Sequence, residues 1–507
     1  MQLIQYSPTT EKVWKTPLLI IPPWINKYYI LDLREKNSFI RWAVAQGHTV
    51  FVVSWVNPDE RLAHKTFDDY MLEGPVAALD AIEQATGEKE ANVIGYCLGG
   101  TLLACTLAWL GIKGRKRIKS ATFFTAMIDF SEPGELGVFV DDKVLANLEK
   151  KMAKRGYLEG SEMATTFNLL RANDLIWSFV VNNYLLGKEP FPFDLLFWNS
   201  DSTRMPAKMH RFYLRNMYIR NALIEPGGFE LAGEPIDLDN VQVPACFVST
   251  VEDHIAPWKS TYLGAKRLPG QVKFILGGSG HIAGIVNPPA ANKYHYWTSD
   301  KLADTADEWL LQAERRDGSW WTEWNAWVSQ FGGEKVPARV PGSGKLRVIE
   351  DAPGSYVKMR LDAQSQQHSQ RLPTVANAAA PAAAAAQPAS GAASPARFQH
   401  VEPPRAVPEA SKPSAKEVVA PQAQRAQRDQ QPAKPAASAP ARSAKKTKRS
   451  NDADSFEDTI DLLSSVADAQ PAEMPRPAPR KPKATRGTKA VSKSAAQSKT
   501  AGKRSAR

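Results

Sequence analysis

A nucleophile motif, Gly95-Tyr96-Cys97-Leu98-Gly99, constrains the fold of this chain more than any other feature. An apolar run, Asn92-Val93-Ile94, precedes the motif, and a helical pattern from Thr101 to Leu110 follows it. This order of strand, sharp turn and helix is typical of the G-x-S-x-G nucleophile elbow, with Cys in the place of Ser. Glycines are needed there because the backbone at the apex is strained and crowded. A thiol at the apex predicts acyl transfer through a thioester.

The pattern around the motif predicts an α/β fold. Short β-branched runs alternate with helical patterns, such as the helix expected at Phe67–Thr86, which indicates βαβ units and a mostly parallel sheet. Residues 130–235 lose this alternation and gain aromatic residues, so we predict a cap inserted into the core. The core then combines residues 1–129, which contain the elbow, with residues 236–357. A helical segment at Ala303–Phe331 is expected to close it.

From about Ala363 the composition changes to Ala, Pro, Lys, Gln and Ser. Residues 363–507 contain 24 Lys and Arg against 11 Asp and Glu, so they account for the formal net charge of +11. Such a segment buries too little apolar surface to offset the entropy of ordering it, and we predict a disordered basic tail. Its basic clusters make nucleic acid a candidate partner, with a purely solvated tail as the alternative.

Cysteine usage and apolar runs bear on location and cofactors. Cys97, Cys105 and Cys246 have no paired spacing, which argues against a disulfide framework and favours a reducing compartment. No metal-ligand spacing appears, so we expect no metal and no cofactor. The first residues lack the features of a signal peptide, and the apolar run Leu102–Ile112 is too short to cross a bilayer. We therefore predict a cytoplasmic protein without a transmembrane segment.

An activated nucleophile needs a base, and the base needs an orienting acid. With an elbow of this kind the chain order is nucleophile, acid, histidine. Asp253 directly follows one predicted strand, and His281 lies in a glycine-rich loop after the next. We therefore predict that Cys97, Asp253 and His281 form the catalytic set, with Glu252 as the alternative acid. His254 is expected to support the site rather than to act as its base.

These residues also have simpler interpretations. Cys97 is alternatively a small buried apolar residue, Asp253 a helix N-cap before Pro257, and His281 a loop residue that only donates hydrogen bonds. Cys105 and Cys246 are expected in the core.

Two backbone N–H groups are expected to stabilise an oxyanion. One belongs to Leu98, the residue after the nucleophile. The other comes from the loop Pro22–Asp32, where we assign it to Ile30. Asn26 and Asp32 are predicted to shape that loop, with ordinary turn and cap roles as the alternative.

Five segments carry a resemblance to a known family. They are Pro22–Leu33, Ser54–Asp59, Gly95–Gly100, Glu252–Trp258, and Gly280–Gly284 with Asn287-Pro288-Pro289. Together they closely resemble class I polyhydroxyalkanoate synthases, and the similarity runs from Gln2 to about Val357. Members of the family carry a further N-terminal domain, which this chain is expected to lack. Relatives often have Cys at the position of Trp24, and the tail extends beyond the usual end of the family.

The resemblance implies an α/β-hydrolase core with a cap, with Cys97 as nucleophile, His281 as base and Asp253 as acid. Its implied substrate is an (R)-3-hydroxyacyl-CoA, and its product is an intracellular polyester that accumulates in granules. Asp253 is also a candidate base for the incoming 3-hydroxyl group. The resemblance further implies a homodimer and association with the growing polyester chain and the granule surface.

Two groups of aromatic residues have more than one interpretation under this resemblance. Trp320, Trp324 and Trp327 fall on one helical face, which indicates core packing or a granule or partner surface. The aromatic residues of the cap have three alternative interpretations: they are expected to line an acyl tunnel, to face a partner subunit or to form an ordinary core. They are Trp177, Phe179, Tyr184, Phe191, Phe193, Phe197 and Trp198.

Two other functions stay open. The first is a thioesterase or polyester hydrolase on the same fold, although serine dominates that chemistry. The second is a catalytically weak, truncated form that acts through its basic tail, for example by clusters such as Lys445–Arg449 that bind nucleic acid or granule proteins. The acidic island at residues 455–463 is a candidate helix for docking on a partner.

Overall fold

The computed structural model describes residues 1–170, 177, 180–188, 194–299 and 301–360, and the predicted tail lies outside these residues. Nine of the strands form one sheet. The strands are β1 (Gln2–Gln5), β2 (Lys12–Trp14), β3 (Leu18–Ile21), β4 (Val50–Ser54), β5 (Ala91–Tyr96), β6 (Ile118–Phe124), β7 (Tyr157–Leu158), β8 (Met205–Pro206), β9 (Glu230–Leu231), β10 (Glu234–Pro235), β11 (Ala245–Thr250), β12 (Val272–Gly277), β13 (His295–Ser299), β14 (Glu314–Asp317) and β15 (Lys335–Pro337).

The large sheet has the order β1-β4-β3-β5-β6-β11-β12-β13-β14. Its six central strands, β4 to β12 in that order, pair in parallel, whereas β1, β13 and β14 pair antiparallel at the two edges. The chain moves from β3 outward to β4 and then returns to the other side of β3 with β5. The carboxyl ends of β3 and β5 therefore flank a topological switch point, where open α/β sheets bind their ligands.

Helices cover both faces of this sheet and form the cap. They are α1 (Phe39–Ala45), α2 (Phe67–Met71), α3 (Ala77–Thr86), α4 (Leu98–Ile112), α5 (Asp142–Arg155), α6 (Gly160–Leu170), α7 (Asp194–Ser200), α8 (Ala207–Tyr213), α9 (Trp258–Lys266), α10 (Ala306–Gln312) and α11 (Trp321–Val328). Helix α4 is apolar all round and almost completely buried, as expected for a helix that lies between the sheet and another layer.

The predicted α/β class with a mostly parallel sheet is confirmed, and the arrangement is that of the α/β-hydrolase fold. Two predicted helices are wrong in detail. The helix expected at Phe67–Thr86 is interrupted by a π-helical turn at Leu72–Val76, which contains Pro75. The segment expected to be helical at Ala303–Phe331 contains the edge strand β14 between α10 and α11.

Between β6 and β11 the described residues add no strand to the large sheet. They form α5 to α8 and two short antiparallel pairs, β7 with β8 and β9 with β10. At the base of this cap the side chain of Asn221 accepts a hydrogen bond from the Phe130 N–H at 2.8 Å and donates to Asp129 at 2.9 Å. These two bonds join the start of the region between β6 and β11 to a point late in the same region.

The tryptophans near the end of the core are buried rather than exposed to a partner. The exposed fraction is 0% for Trp320, Trp321 and Trp324 and 7% for Trp327. The indole N–H of Trp320 donates to the Gly284 carbonyl at 2.7 Å, and that of Trp321 donates to the Ile285 carbonyl at 2.9 Å. Of the two interpretations of this stretch, core packing is the one that the structure supports. The two indoles also fix the loop that follows β12.

None of the helices in the described part of the chain combines the length and the apolar character that a bilayer crossing requires.

Candidate active site

Cys97 lies at the sharp turn between β5 and α4. Its φ of 53° and ψ of −121° are strained for a residue with a side chain, which is typical of a nucleophile elbow. The Cys97 N–H donates to the Phe124 carbonyl at 2.9 Å, and the Cys97 carbonyl accepts from the Gly100 N–H at 2.8 Å. These bonds hold the strained turn, and the side chain of Cys97 borders a cavity.

Two glycines of the motif are required by close backbone contacts. A Cβ atom on Gly99 would lie 2.0 Å from the carbonyl oxygen of Ile21, at the end of β3. A Cβ atom on Gly95 would lie 2.5 Å from the Cα atom of Gly100. A side chain at position 99 would therefore push the elbow away from the end of β3, and one at position 95 would push β5 away from the start of α4.

Asp253 and His281 form a buried pair at the ends of β11 and β12. His281 Nδ1 and Asp253 Oδ2 are 2.7 Å apart, and the Asp253 side chain is completely buried. The other carboxylate oxygen, Oδ1, accepts hydrogen bonds from the N–H groups of Ile255 and Ala256 at 2.9 and 2.8 Å. Because both oxygens are engaged, this carboxylate is arranged to orient the imidazole rather than to reach a substrate hydroxyl.

The protonation of His281 depends on its two neighbours. Burial lowers the pKa of His281, but the charges of Asp253 and Cys97 and hydrogen bonds to both side chains outweigh it and raise this pKa to about 10. Cys97 and His281 also border the same cavity.

Tyr96 supports the histidine from inside the elbow, a role that the sequence analysis missed. Its ring stacks on that of His281 with the centroids 5.8 Å apart and an interplanar angle of 25°. Its hydroxyl donates to the His281 carbonyl at 3.3 Å. The available signal was an aromatic residue directly before the nucleophile, but the pairing depends on a loop 185 residues away in the chain.

A cavity of about 230 Å³ opens between the sheet and the cap. Cys97 and His281 border it, and most of its wall is apolar. The cap supplies Met163, Ala164, Phe167, Leu195, Trp198 and other residues to this wall, and the loop after β3 supplies Pro23, Ile25 and Asn26. A cavity of this kind suits an acyl chain bound next to a nucleophile.

The other predicted site residues divide into two groups. Asn26 and His254 line the cavity. Leu98 is the first residue of α4, where an N–H has no acceptor within its own helix and remains available to an oxyanion. Leu98, Ile30 and Asp32 are not among the residues that line the cavity.

The structure places Ile30, the predicted second oxyanion donor, within a short 3₁₀ helix. The chain forms a 3₁₀ turn at Tyr28–Asp32, which carries Ile30 into the core. Asp32 accepts hydrogen bonds from the hydroxyls of Tyr6 and Ser38 at 2.8 and 2.6 Å, so it shapes the turn but lies outside the cavity wall. In the loop after β3, Ile25 and Asn26 line the cavity and each carries a backbone N–H, whereas Pro23 beside them has none.

Glu252, the alternative acid, borders the cavity but its side chain is exposed, and Asp253 makes the bond to His281 instead. Cys105 and Cys246 are completely buried in the core, and burial raises the pKa of both thiols. Among the described residues no group of His, Cys, Asp and Glu is arranged to hold a metal ion.

The aromatic residues of the cap do not act as one group. Trp198 is buried and lines the cavity, and its indole N–H donates to the Lys27 carbonyl at 2.8 Å. Trp177, Tyr184 and Phe197 are exposed by 58%, 84% and 50%. The remaining three, Phe179, Phe191 and Phe193, lie outside the described residues.

Trp24 has a structural role. Its ring is almost completely buried and meets Trp55, Phe67, Tyr70 and Tyr213 edge-on, with centroids 5.3 to 6.3 Å away. This aromatic cluster anchors the loop after β3 without placing the indole in the cavity wall.

Comparisons with known proteins agree with the geometry. The family described as "Poly-beta-hydroxybutyrate polymerase (PhaC) N-terminus" matches residues 1–43. The poly(3-hydroxyalkanoate) polymerase subunit PhaC of Rhizobium meliloti is 56% identical over 359 residues, which cover 71% of this chain and 58% of that protein. That of Cupriavidus necator is 44% identical over 365 residues, which cover 71% of this chain and 62% of that protein.

The poly(3-hydroxyalkanoate) polymerase of Methylorubrum extorquens is 52% identical over 361 residues, covering 71% of this chain and 60% of that protein. The chain thus spans less than two thirds of the length of these relatives. Among solved structures, a Paleococcus ferrophilus monoacylglycerol lipase is 14% identical with a TM-score of 0.34, covering 66% of this chain and 99% of that one. So low a score carries no argument about the site.

Proposed function

Since the chain belongs to the poly(3-hydroxyalkanoate) polymerase family, we propose that it transfers (R)-3-hydroxyacyl groups from coenzyme A to a growing polyester. The observation that carries the proposal is the buried hydrogen bond between Asp253 and His281, together with the position of His281 and Cys97 at the wall of one apolar cavity. No metal or cofactor is required, because thioester exchange needs only a nucleophile, a proton acceptor and oxyanion donors.

Acyl loading begins when His281 takes the proton of the Cys97 thiol. The thiolate attacks the carbonyl carbon of the acyl-CoA, a new C–S bond forms, and the bond to the CoA sulfur breaks. The CoA thiolate leaves and takes the proton back from His281. One thioester replaces another, so loading is close to thermoneutral. The N–H of Leu98 and a donor from the loop at residues 23–26 are suited to stabilise the oxyanion.

Chain extension requires a hydroxyl group to lose a proton as it attacks an acyl–Cys97 thioester. His281 is the base that we propose for this step as well, because it borders the cavity, whereas the Asp253 side chain is completely buried. The attack forms an ester bond, breaks the C–S bond and returns the thiol of Cys97. Polymer forms only if water does not reach the acyl–Cys97 carbonyl first.

The test is the turnover of (R)-3-hydroxybutyryl-CoA by the purified full chain, with CoA release followed over time and insoluble polyester separated from free acid. We expect CoA release with polymer, and a loss of both in Cys97→Ala, since no other described thiol borders the cavity. Cys105→Ala is the matched control, because it removes a buried thiol from the same helix as the elbow and should leave the turnover largely intact.

Free acid without polymer would favour the thioesterase or hydrolase alternative. Unchanged turnover in Cys97→Ala would contradict the proposed nucleophile. Homodimerisation and granule attachment stay predictions of the family resemblance. The cytoplasmic location stays a prediction from cysteine usage, and nucleic-acid binding by the tail stays one from its basic clusters.

A further inference from the structure

Lys27 is a charged residue buried behind the cavity. Its ammonium group lies 2.8 Å from Asp201 Oδ1 in the cap, and the side chains of the two residues are only 3% and 8% exposed. The same ammonium donates to the carbonyls of Val357 and Met359, each at 2.7 Å. These three acceptors match the three N–H donors of a lysine, which is the condition under which a buried charge is tolerated.

The contacts of Lys27 join three segments that are far apart in the chain. They are the loop after β3, the end of α7 in the cap, and the last described segment near Val357. Further bonds follow the same seam, since Tyr29 donates to Asp201 Oδ2 at 2.9 Å and the Thr203 N–H donates to the Ile25 carbonyl at 3.2 Å. We call these contacts the Lys27 latch.

The latch lies directly behind the cavity wall. Asn26, the neighbour of Lys27, borders the cavity, and so does Trp198, whose indole N–H donates to the Lys27 carbonyl at 2.8 Å. A movement of Lys27 would therefore displace two parts of the cavity wall. One is the loop expected to supply an oxyanion donor, and the other is Trp198 of the cap. It would also leave the Asp201 carboxylate buried without its cation.

We propose that Lys27 is a positioning residue that keeps the cap and the loop after β3 closed over the acyl–Cys97 thioester, and that the segment Val357–Met359 acts as a strap completing this closure. The inference rests on the proposed function. It adds the structural feature that decides whether polymer or free acid is made. A closed wall excludes water and leaves the hydroxyl group as the acceptor, whereas a loosened wall admits water and releases free acid.

The test compares products made by the full-length wild type and by Lys27→Met, which keeps the length of the side chain but removes its charge. We expect CoA release to persist while the ratio of free acid to polymer rises by about tenfold or more, since small displacements of a wall strongly affect competing reactions. An unchanged ratio in a folded Lys27→Met protein would overturn the proposal.

Two further variants separate positioning from folding. Lys27→Met with Asp201→Leu removes both charges, so no unpaired carboxylate stays buried, and it should fold while keeping the raised acid ratio. Lys15→Met is the matched control, because Lys15 forms an exposed pair with Glu334 at 3.0 Å and should give the wild-type ratio. A double variant with a wild-type ratio would show that the latch does not govern water exclusion.

Hydrogen exchange measured on the same proteins makes the result independent of catalysis. In Lys27→Met we expect faster exchange together in residues 23–29, 198–203 and 355–360, the three segments of the latch. If the wild type makes no polymer, the proposed function fails, and the exchange data still decide whether Lys27 couples these segments. Faster exchange confined to residues 23–29 would refute the coupling.

Discussion

At the scale of single residues, the hydrogen bond between Asp253 and His281 is expected to hold the imidazole in the tautomer that the proposed mechanism needs. In Asp253→Asn an amide group would face His281 Nδ1 and favour the tautomer with its proton on Nε2, which cannot accept the thiol proton of Cys97. We expect the rate of CoA release to fall by roughly 10³- to 10⁴-fold, as for the same change in other triads. Steady-state kinetics would measure this loss.

Glu252→Gln is the control for this prediction. Glu252 borders the same cavity but is exposed, so we expect its substitution to change the rate by no more than about threefold. Equal losses in the two variants would mean that the negative charge of the cavity, and not the orientation of His281, limits the reaction. The pKa of His281, followed by NMR, should also fall in Asp253→Asn because the charge of Asp253 helps to raise it.

The sequence predicted this pair because each member follows a strand, and the ends of parallel strands meet at one edge of a sheet. It did not predict the stacking of Tyr96 on His281 or the contacts of Lys27, which join residues 185 and 332 positions apart. No periodicity or motif encodes such distant contacts. The 3₁₀ helix at Tyr28–Asp32 was not predicted either, because the length of a loop does not reveal such a turn.

At the scale of elements, the approach of α4 to β3 decides whether the elbow can form. Gly99→Ala would place a methyl group 2.0 Å from the Ile21 carbonyl oxygen, a rigid backbone atom, so the helix and the strand must separate. We expect the free energy of unfolding to fall by about 3 kcal/mol, together with loss of turnover as Cys97 is displaced. Urea unfolding followed by circular dichroism would measure the first effect.

Gly280→Ala provides the comparison within the same site. A Cβ atom there has its nearest neighbour, the Glu252 carbonyl oxygen, at an ordinary 3.7 Å. We therefore expect a change in unfolding free energy below about 1 kcal/mol, although Gly280 is adjacent to His281. A Gly99→Ala protein as stable as Gly280→Ala would contradict the close packing of the elbow on β3.

The edge strand β14 shows why some elements could not be predicted. Its sequence, Glu314-Arg315-Arg316-Asp317, is fully exposed and has no alternation of apolar and polar residues. The strand forms because β13 offers a partner, with Thr298 opposite Glu314 and His295 opposite Asp317. Pairing of this kind depends on the assembled sheet and cannot be predicted from the sequence of the strand. The strands β3 and β5, in contrast, can be predicted because their apolar composition is typical of buried parallel strands.

At the scale of the whole molecule, two buried histidines make the fold sensitive to acid. Burial lowers the pKa of His48 and of His210 to about 4 each, below the usual value of 6.5. Between these values the unfolded chain binds more protons than the folded one, so stability falls as the pH drops from 6.5 towards 4. We expect each histidine to cost about 2 kcal/mol at pH 5 relative to pH 7.5.

Urea unfolding at pH 7.5, 6 and 5 would test this dependence. His210→Phe, which keeps a ring of similar size, should lose less stability on acidification than the wild type. His281 contributes in the opposite sense. Its raised pKa gives stability that is present below pH 6.5 and lost as the pH rises through about 10. An unchanged acid profile in His210→Phe would exclude that residue as the cause.

The Lys27 latch also has a consequence for the order in which the protein acquires its site during translation. Lys27 leaves the ribosome early, but two of its acceptors, the carbonyls of Val357 and Met359, are made 330 and 332 residues later. The elbow, the base and the cap are all synthesised before those acceptors exist. A nascent chain therefore holds its nucleophile before it holds the strap, and the loop beside Cys97 gains its last anchor only when the final part of the core has emerged.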